Sequence, residues 1–166
     1  MLLQISHRID QFIEWLGSKI SWLTLILVIV ICIDVFLRYV FSSTKTWILD
    51  IEWHLFSLIF LFGAAYTLKH DEHVRVDLFY QNYSQKTKSL INFLGAVFLL
   101  IPWCLIIIGH SLNYALNSWY VKEGSPDGGL SAWYPIKFCI TLGFILLLLQ
   151  AISIVIKEGY QLADKS

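Results

Sequence analysis

The chain has 166 residues, of which 57% are hydrophobic, 16% aromatic and only 14% charged, with twelve basic side chains balanced by twelve acidic ones. That composition is far from a solvated globule, and although zero net charge says little about partners, nothing in the distribution of charges resembles a nucleic-acid patch. The three cysteines, Cys32, Cys104 and Cys139, have neither an even count nor metal-ligand spacing, so they read as free thiols filling core space, with no disulfide or zinc site.

Four apolar stretches organise the chain: Ile20 to Val40, Ile48 to Leu68, Ile91 to Leu112 and Tyr134 to Ile156. As helices rising about 1.5 Å per residue, each crosses a hydrocarbon core of about 30 Å. The expected fold is an all-α membrane protein of four transmembrane helices, with residues 1–166 forming one integral membrane domain. Eight basic residues (Arg8, Lys19, Lys69, Arg75, Lys86, Lys88, Lys157 and Lys165) fall on the side of the two termini. The other side has four, Arg38, Lys45, Lys122 and Lys137, so the positive-inside rule puts both termini in the cytoplasm.

Residues 1–17 lack the small-residue cleavage site of a secretory signal, and the apolar run after them carries Asp34 and Arg38. Leu2, Ile5, Ile9, Phe12, Ile13 and Leu16 recur at helical spacing with Gln4, Arg8, Gln11 and Glu14 elsewhere on the wheel, which predicts an N-terminal interfacial amphipathic helix. A first span that simply starts early is the competing reading.

In the first span Asp34 and Arg38 are four residues apart and share a helical face, so they can pair. Only Phe41 to Trp47 joins it to the second span, which makes the two an antiparallel hairpin. Asp50 and Glu52 open the second span at about the depth of Arg38. A ring of Arg38 with Asp34, Asp50 or Glu52 is expected to fasten the hairpin, and which of Asp50 and Glu52 partners Arg38 is left open.

The segment after the second span reads KHDEHVRVDLFYQNYSQKTK. His70, Asp71, Glu72, His73 and Asp77 have poor spacing for a metal cluster, and the alternation of Val74, Val76 and Leu78 with Arg75 and Asp77 suggests a short amphipathic surface element instead. The third span can run from Lys88 toward Tyr120, longer than a bilayer needs, with Pro102 expected to kink it and to free a carbonyl that needs a local partner. EGSPDGGL, Glu123 to Leu130, is the clearest turn, and Pro135 stands where a fourth helix can begin. Tyr39, Phe41, Trp47, Trp53, Trp119, Tyr120, Trp133 and Tyr134 lie near span ends, as an aromatic belt does.

Charged groups do not recur at successive depths on all four spans, so the chain by itself offers no complete path for a polar solute. Three function classes remain: the blandest is a scaffold or assembly factor with no transport partner, and two are more specific. One is a haem-binding membrane anchor subunit of a respiratory complex, with His54 and His110 as the candidate ligands. The other comes from resemblance.

Arg38-Tyr39 ending the first span, Trp47 in the short loop, Asp50 and Glu52 opening the second, Gly63-Ala64-Ala65 near its end, and then His73-Val74-Arg75-Val76-Asp77 resemble the small membrane subunit, DctQ type, of TRAP (tripartite ATP-independent periplasmic) transporters. The resemblance covers nearly the whole chain. It implies a non-enzymatic subunit in a bacterial inner membrane, without cofactor or metal, that braces a large multi-span membrane subunit during elevator-type transport. It also implies a periplasmic substrate-binding protein as partner and sodium-coupled uptake of organic acids of the C4-dicarboxylate or sialic acid class. Asp34, Arg38, Trp47, Asp50, Glu52, Gly63, His73 and Asp77 are the residues assigned structural or subunit-interface roles. An adjacent acidic pair is expected in the family where this chain separates Asp50 and Glu52 by Ile51. Small residues such as Gly63, Ala64, Ala65, Gly95, Ala96 and Gly143 permit close contacts, within the chain or with a partner and with membrane lipids around both.

Overall fold

The structure is a computed structural model that describes residues 1–70, 80 and 83–164. Among these residues it is all helix and loop, and four helices are long and apolar enough to cross a membrane.

Helix α1 spans Leu2–Phe41, 40 residues. The stretch 1–17 is helical, as expected, but it continues into the first span without a break. At about 1.5 Å per residue the rod is about 60 Å long, well beyond a hydrocarbon core. Hydrogen bonds from Ser6 and to Asp10 hold its N-terminal stretch against the last helix of the chain. Its inward stripe is Ser6, Asp10, Ile13, Gly17 and Ile20, whereas Leu2, Leu3, Ile5, Phe12 and Trp15 are exposed. At the other end Ser42 takes the left-handed conformation (φ 50°) and donates its N–H to the Leu37 carbonyl, stopping the helix.

Helix α2, Thr46–Lys69, returns antiparallel along α1. The third span is one rod, Gln85–Tyr120, in three parts: α3 (Gln85–Gly95), a π-helical turn (Ala96–Leu100) and α4 (Ile101–Tyr120). Ser84 caps α3 by accepting from the Thr87 N–H at 3.3 Å. The π turn is the answer to Pro102. Proline has no N–H and crowds the carbonyl four residues back, and immediately before it the Ile101 N–H bonds the Ala96 carbonyl, five residues away.

The loop to the last helix is folded on itself: Ser125 N–H donates to the Leu130 carbonyl and Trp133 N–H to the Glu123 carbonyl, both at 2.8 Å, and Gly128 supplies the positive φ (72°) of the turn. Helix α5, Tyr134–Asp164, is the hub, packing against α1, α2 and every part of the third span. The hairpin of α1 and α2 lies on one side of α5 and the third span on the other.

Inside and outside are inverted relative to a water-soluble bundle. The buried positions are mostly polar or small, such as Ser6, Ser111, Thr141, Gln150, Ser153, Ala65, Ala115 and Ala151, while most large apolar side chains face outward. Apolar solvent or an apolar partner satisfies that surface, and hydrogen bonds inside hold the helices together.

Candidate functional site

The end of the molecule at the α1–α2 turn concentrates the sequence-predicted charges. Arg38 stands in the last turn of α1, one turn beyond Asp34, and its guanidinium reaches the Asp34 carboxylate at 2.5 Å. The Asp34 side chain is 4% exposed and that of Arg38 47%, so the carboxylate is inside and the cation at the rim. Glu52 lies within electrostatic reach of both. Asp34 holds the guanidinium and Glu52 feels its field without a contact to it, and Asp34 Oδ1 and Glu52 Oε1 are buried with no hydrogen-bond partner among the described residues.

Asp50 is two residues from Glu52 and points elsewhere. Its Oδ2 accepts from the Leu130 N–H at 2.8 Å, which fastens the folded loop to the start of α2. Gly129 permits that approach, because a Cβ there would sit 2.0 Å from Asp50 Oδ2. The ring expected around Arg38 therefore divides: Asp34 and Glu52 belong to it, and Asp50 serves the loop. Glu123 in that loop pairs with Lys137 and accepts from Ser118 Oγ at 2.7 Å. The Lys137 hydrogen bond, then that of Ser118, holds the Glu123 carboxyl below the usual range against slight burial. Trp47 is half exposed in the first turn of α2 and joins none of these contacts.

The opposite end, which carries both termini, holds a network that sequence reasoning missed. Asp10 Oδ1 accepts from Ser153 Oγ at 2.8 Å and Gln150 Nε2 at 3.2 Å, Asp10 Oδ2 pairs with Lys157, and the Ser6 and Ser153 hydroxyls lie 2.7 Å apart. Burial pushes the Asp10 carboxyl up, and Lys157, Ser153 and Gln150 together bring it below the ordinary value. Glu14 meets Lys69 and the His70 ring, which lower its pKa in that order, and so joins α1 to α2. The available signal was Gln150, Ser153 and Lys157 recurring at three and seven residues in an otherwise apolar helix, one polar stripe that lipid alone cannot satisfy.

Of the candidate cluster His70, Asp71, Glu72, His73 and Asp77, only His70 is among the described residues; His73 and Asp77, with the proposed surface element, lie outside them. Among the described residues no three metal-ligating side chains come together. Gly143 meets Leu61 of α2, with a Cβ placed 2.9 Å from Leu61 Cβ, and Ala65 is fully buried. Gly63 and Gly95 face open space. The two histidines of the haem alternative have separate settings: His54 Nδ1 lies 2.6 Å from the Asp50 carbonyl, and His110 is exposed on α4, outside the cavity that His54 lines.

The profile of the DctQ component of tripartite ATP-independent periplasmic transporters matches residues 27–158. A Haemophilus influenzae protein described provisionally as a TRAP transporter small permease protein is 28% identical over 130 residues, covering 78% of this chain and 77% of the relative. No solved structure gives a significant match.

Proposed function

This chain belongs to the DctQ component family of tripartite ATP-independent periplasmic transporters, and on that premise we propose that it braces a large multi-span membrane subunit as the static partner in elevator-type transport. DctQ small permease subunits are transport components rather than enzymes, and this one is a multi-pass inner-membrane protein. In the proposed assembly the chain acts as one integral unit in a heterodimer, with both termini cytoplasmic as its lysines and arginines favour. A periplasmic binding protein delivers the solute, an organic acid of the C4-dicarboxylate or sialic acid class, and sodium drives uptake through the large subunit.

The observation that carries this reading is the unfinished charge cluster at the α1–α2 turn. Arg38 pairs with Asp34 and leaves Glu52 without an ion pair among the described residues, and each carboxylate keeps a buried oxygen without a partner. An uncompensated carboxylate in a membrane helix costs several kcal/mol unless a cation or donor reaches it. A basic or amide side chain of the large subunit supplies that group and locks the two subunits in register. The helices are fixed to one another by hydrogen bonds at both ends, as a brace requires.

Co-purification of the tagged chain with the large subunit from gently solubilised membranes, together with solute uptake in proteoliposomes, tests this. Glu52→Gln is expected to weaken the complex and slow uptake in parallel. A stable monodisperse chain that captures no large subunit, or full uptake without it, rejects the proposal.

A further inference from the structure

A cavity of about 430 Å³ opens on the surface between α2, α4 and α5, lined among others by Trp53, His54, Phe60, Tyr114, Trp133 and Lys137. It opens outward, since Trp53, Phe60 and Tyr114 are each more than half exposed. Its polarity is graded along the helices. The nitrogens belong to residues near the loop end: Trp133 immediately precedes α5, Lys137 lies in its first turn, and His54 is two turns into α2. Deeper positions on the same helices, Phe60 and Leu61 of α2 and Ile140 of α5, are wholly apolar.

Two of those nitrogens are unsatisfied. Trp133 Nε1 and His54 Nε2 are both buried without a hydrogen-bond partner. A carbonyl oxygen only accepts, so the contact of His54 Nδ1 with the Asp50 carbonyl, 2.6 Å, places a proton on Nδ1. In its neutral form such a ring offers a lone pair at Nε2, while the indole offers an N–H. Lys137, ion-paired with Glu123, also stands 4.0 Å from the centre of the Tyr114 ring.

We propose that this cavity is a structural binding site for one membrane phospholipid whose headgroup carries both a phosphodiester and a hydrogen-bond donor. A phosphodiester oxygen accepts from Trp133 Nε1 in the field of Lys137. A headgroup hydroxyl or ammonium group donates to His54 Nε2, and one acyl chain lies against Phe60, Leu61 and Ile140. Polar nitrogens at the rim and hydrocarbon further in match the order of groups down a single leaflet. The donor requirement selects ethanolamine and glycerol headgroups over choline, whose quaternary nitrogen has no N–H.

The full chain is purified in mild detergent, and retained lipids are counted by native mass spectrometry. After delipidation, phosphatidylethanolamine, phosphatidylglycerol and phosphatidylcholine are offered in turn. The expected result is one tightly retained lipid per chain, preferring the first two headgroups over choline. Trp133→Phe, which keeps the ring and removes the N–H, should weaken retention about fivefold, the scale of one hydrogen bond. Ile140→Phe fills the apolar end and should also expel the lipid, giving a second variant should the first fail to fold. Equal retention by native chain and both variants, or indifference to headgroup, overturns the proposal. So does the absence of retained lipid, in which case a buried water or a side chain of the large subunit satisfies Trp133 and His54. Lipid retention is read on the chain alone, so it is separable from failure to bind a large subunit.

Discussion

The Asp50 carboxylate accepts the backbone N–H of Leu130 at 2.8 Å, across 80 residues of chain, and so ties the start of α2 to the loop that launches α5. The bond fastens the loop that leads to Trp133 and Lys137 onto the start of the helix that carries His54. It also takes Asp50 away from Arg38 and leaves Glu52 as the second carboxylate of that cluster.

Gly129→Ala places a Cβ against Asp50 Oδ2 and should destabilise the chain by about 1–3 kcal/mol, the usual cost of overpacking. Asp50→Ala loses the loop bond instead. In the double variant the clash is relieved, so the two losses should combine to less than their sum. Thermal unfolding in detergent measures all three, and strict additivity would contradict the contact.

Arg38→Ala removes the guanidinium from a buried Asp34 carboxylate. Yield of the complex with the large subunit should fall about fivefold or more, the scale of leaving a buried acceptor unsatisfied. Asp34→Asn added to Arg38→Ala removes the stranded charge and should recover part of that yield. Normal yield and uptake from Arg38→Ala alone would sink the charge-cluster account.

The two glycines at helix surfaces should separate folding from assembly. Gly143→Ala drives a methyl group into Leu61 of α2 and should lower the melting temperature of the isolated chain by several degrees. Gly63→Ala meets open space among the described residues and should leave it unchanged. If Gly63 is an interface position, a larger side chain there will reduce complex yield while the chain itself melts normally.

The Asp10 network has a defined pH signature. Its carboxyl is held below the ordinary value, so its contribution is fully present above that value and is lost only as pH falls through the lowered one. Between pH 5 and 8 it adds no slope. Lys157→Met removes the strongest influence that lowers the Asp10 pKa and so moves it upward, and the fall in melting temperature on acidification should begin at higher pH than in the native chain, changing the slope between pH 5 and pH 3 by about 3 °C. The Asp10→Asn/Lys157→Met double variant should lose that slope, and its persistence would place the titration elsewhere.

Four membrane crossings, the antiparallel first hairpin, the start of the last helix and the Asp34–Arg38 pair were legible in the residues, because each depends on local spacing. Run length sets a crossing, a loop from Phe41 to Trp47 forces neighbours, and four residues along a helix bring two side chains together. Family membership was legible for the same reason, since its motifs lie in short segments. The inward face of α1 was not. Of the apolar wheel, Leu2, Ile5 and Phe12 point outward, and Ile13 joins Ser6 and Asp10 inside, because in a membrane the helix interior is selected by hydrogen bonds and close packing more than by hydrophobicity. Only the tertiary structure could divide Asp50 from Glu52, since the choice depends on where Leu130 arrives from 80 residues away. It alone could distinguish Gly143, pressed on Leu61, from Gly63, facing open space, because both read identically as small residues in a helix until their neighbours are known.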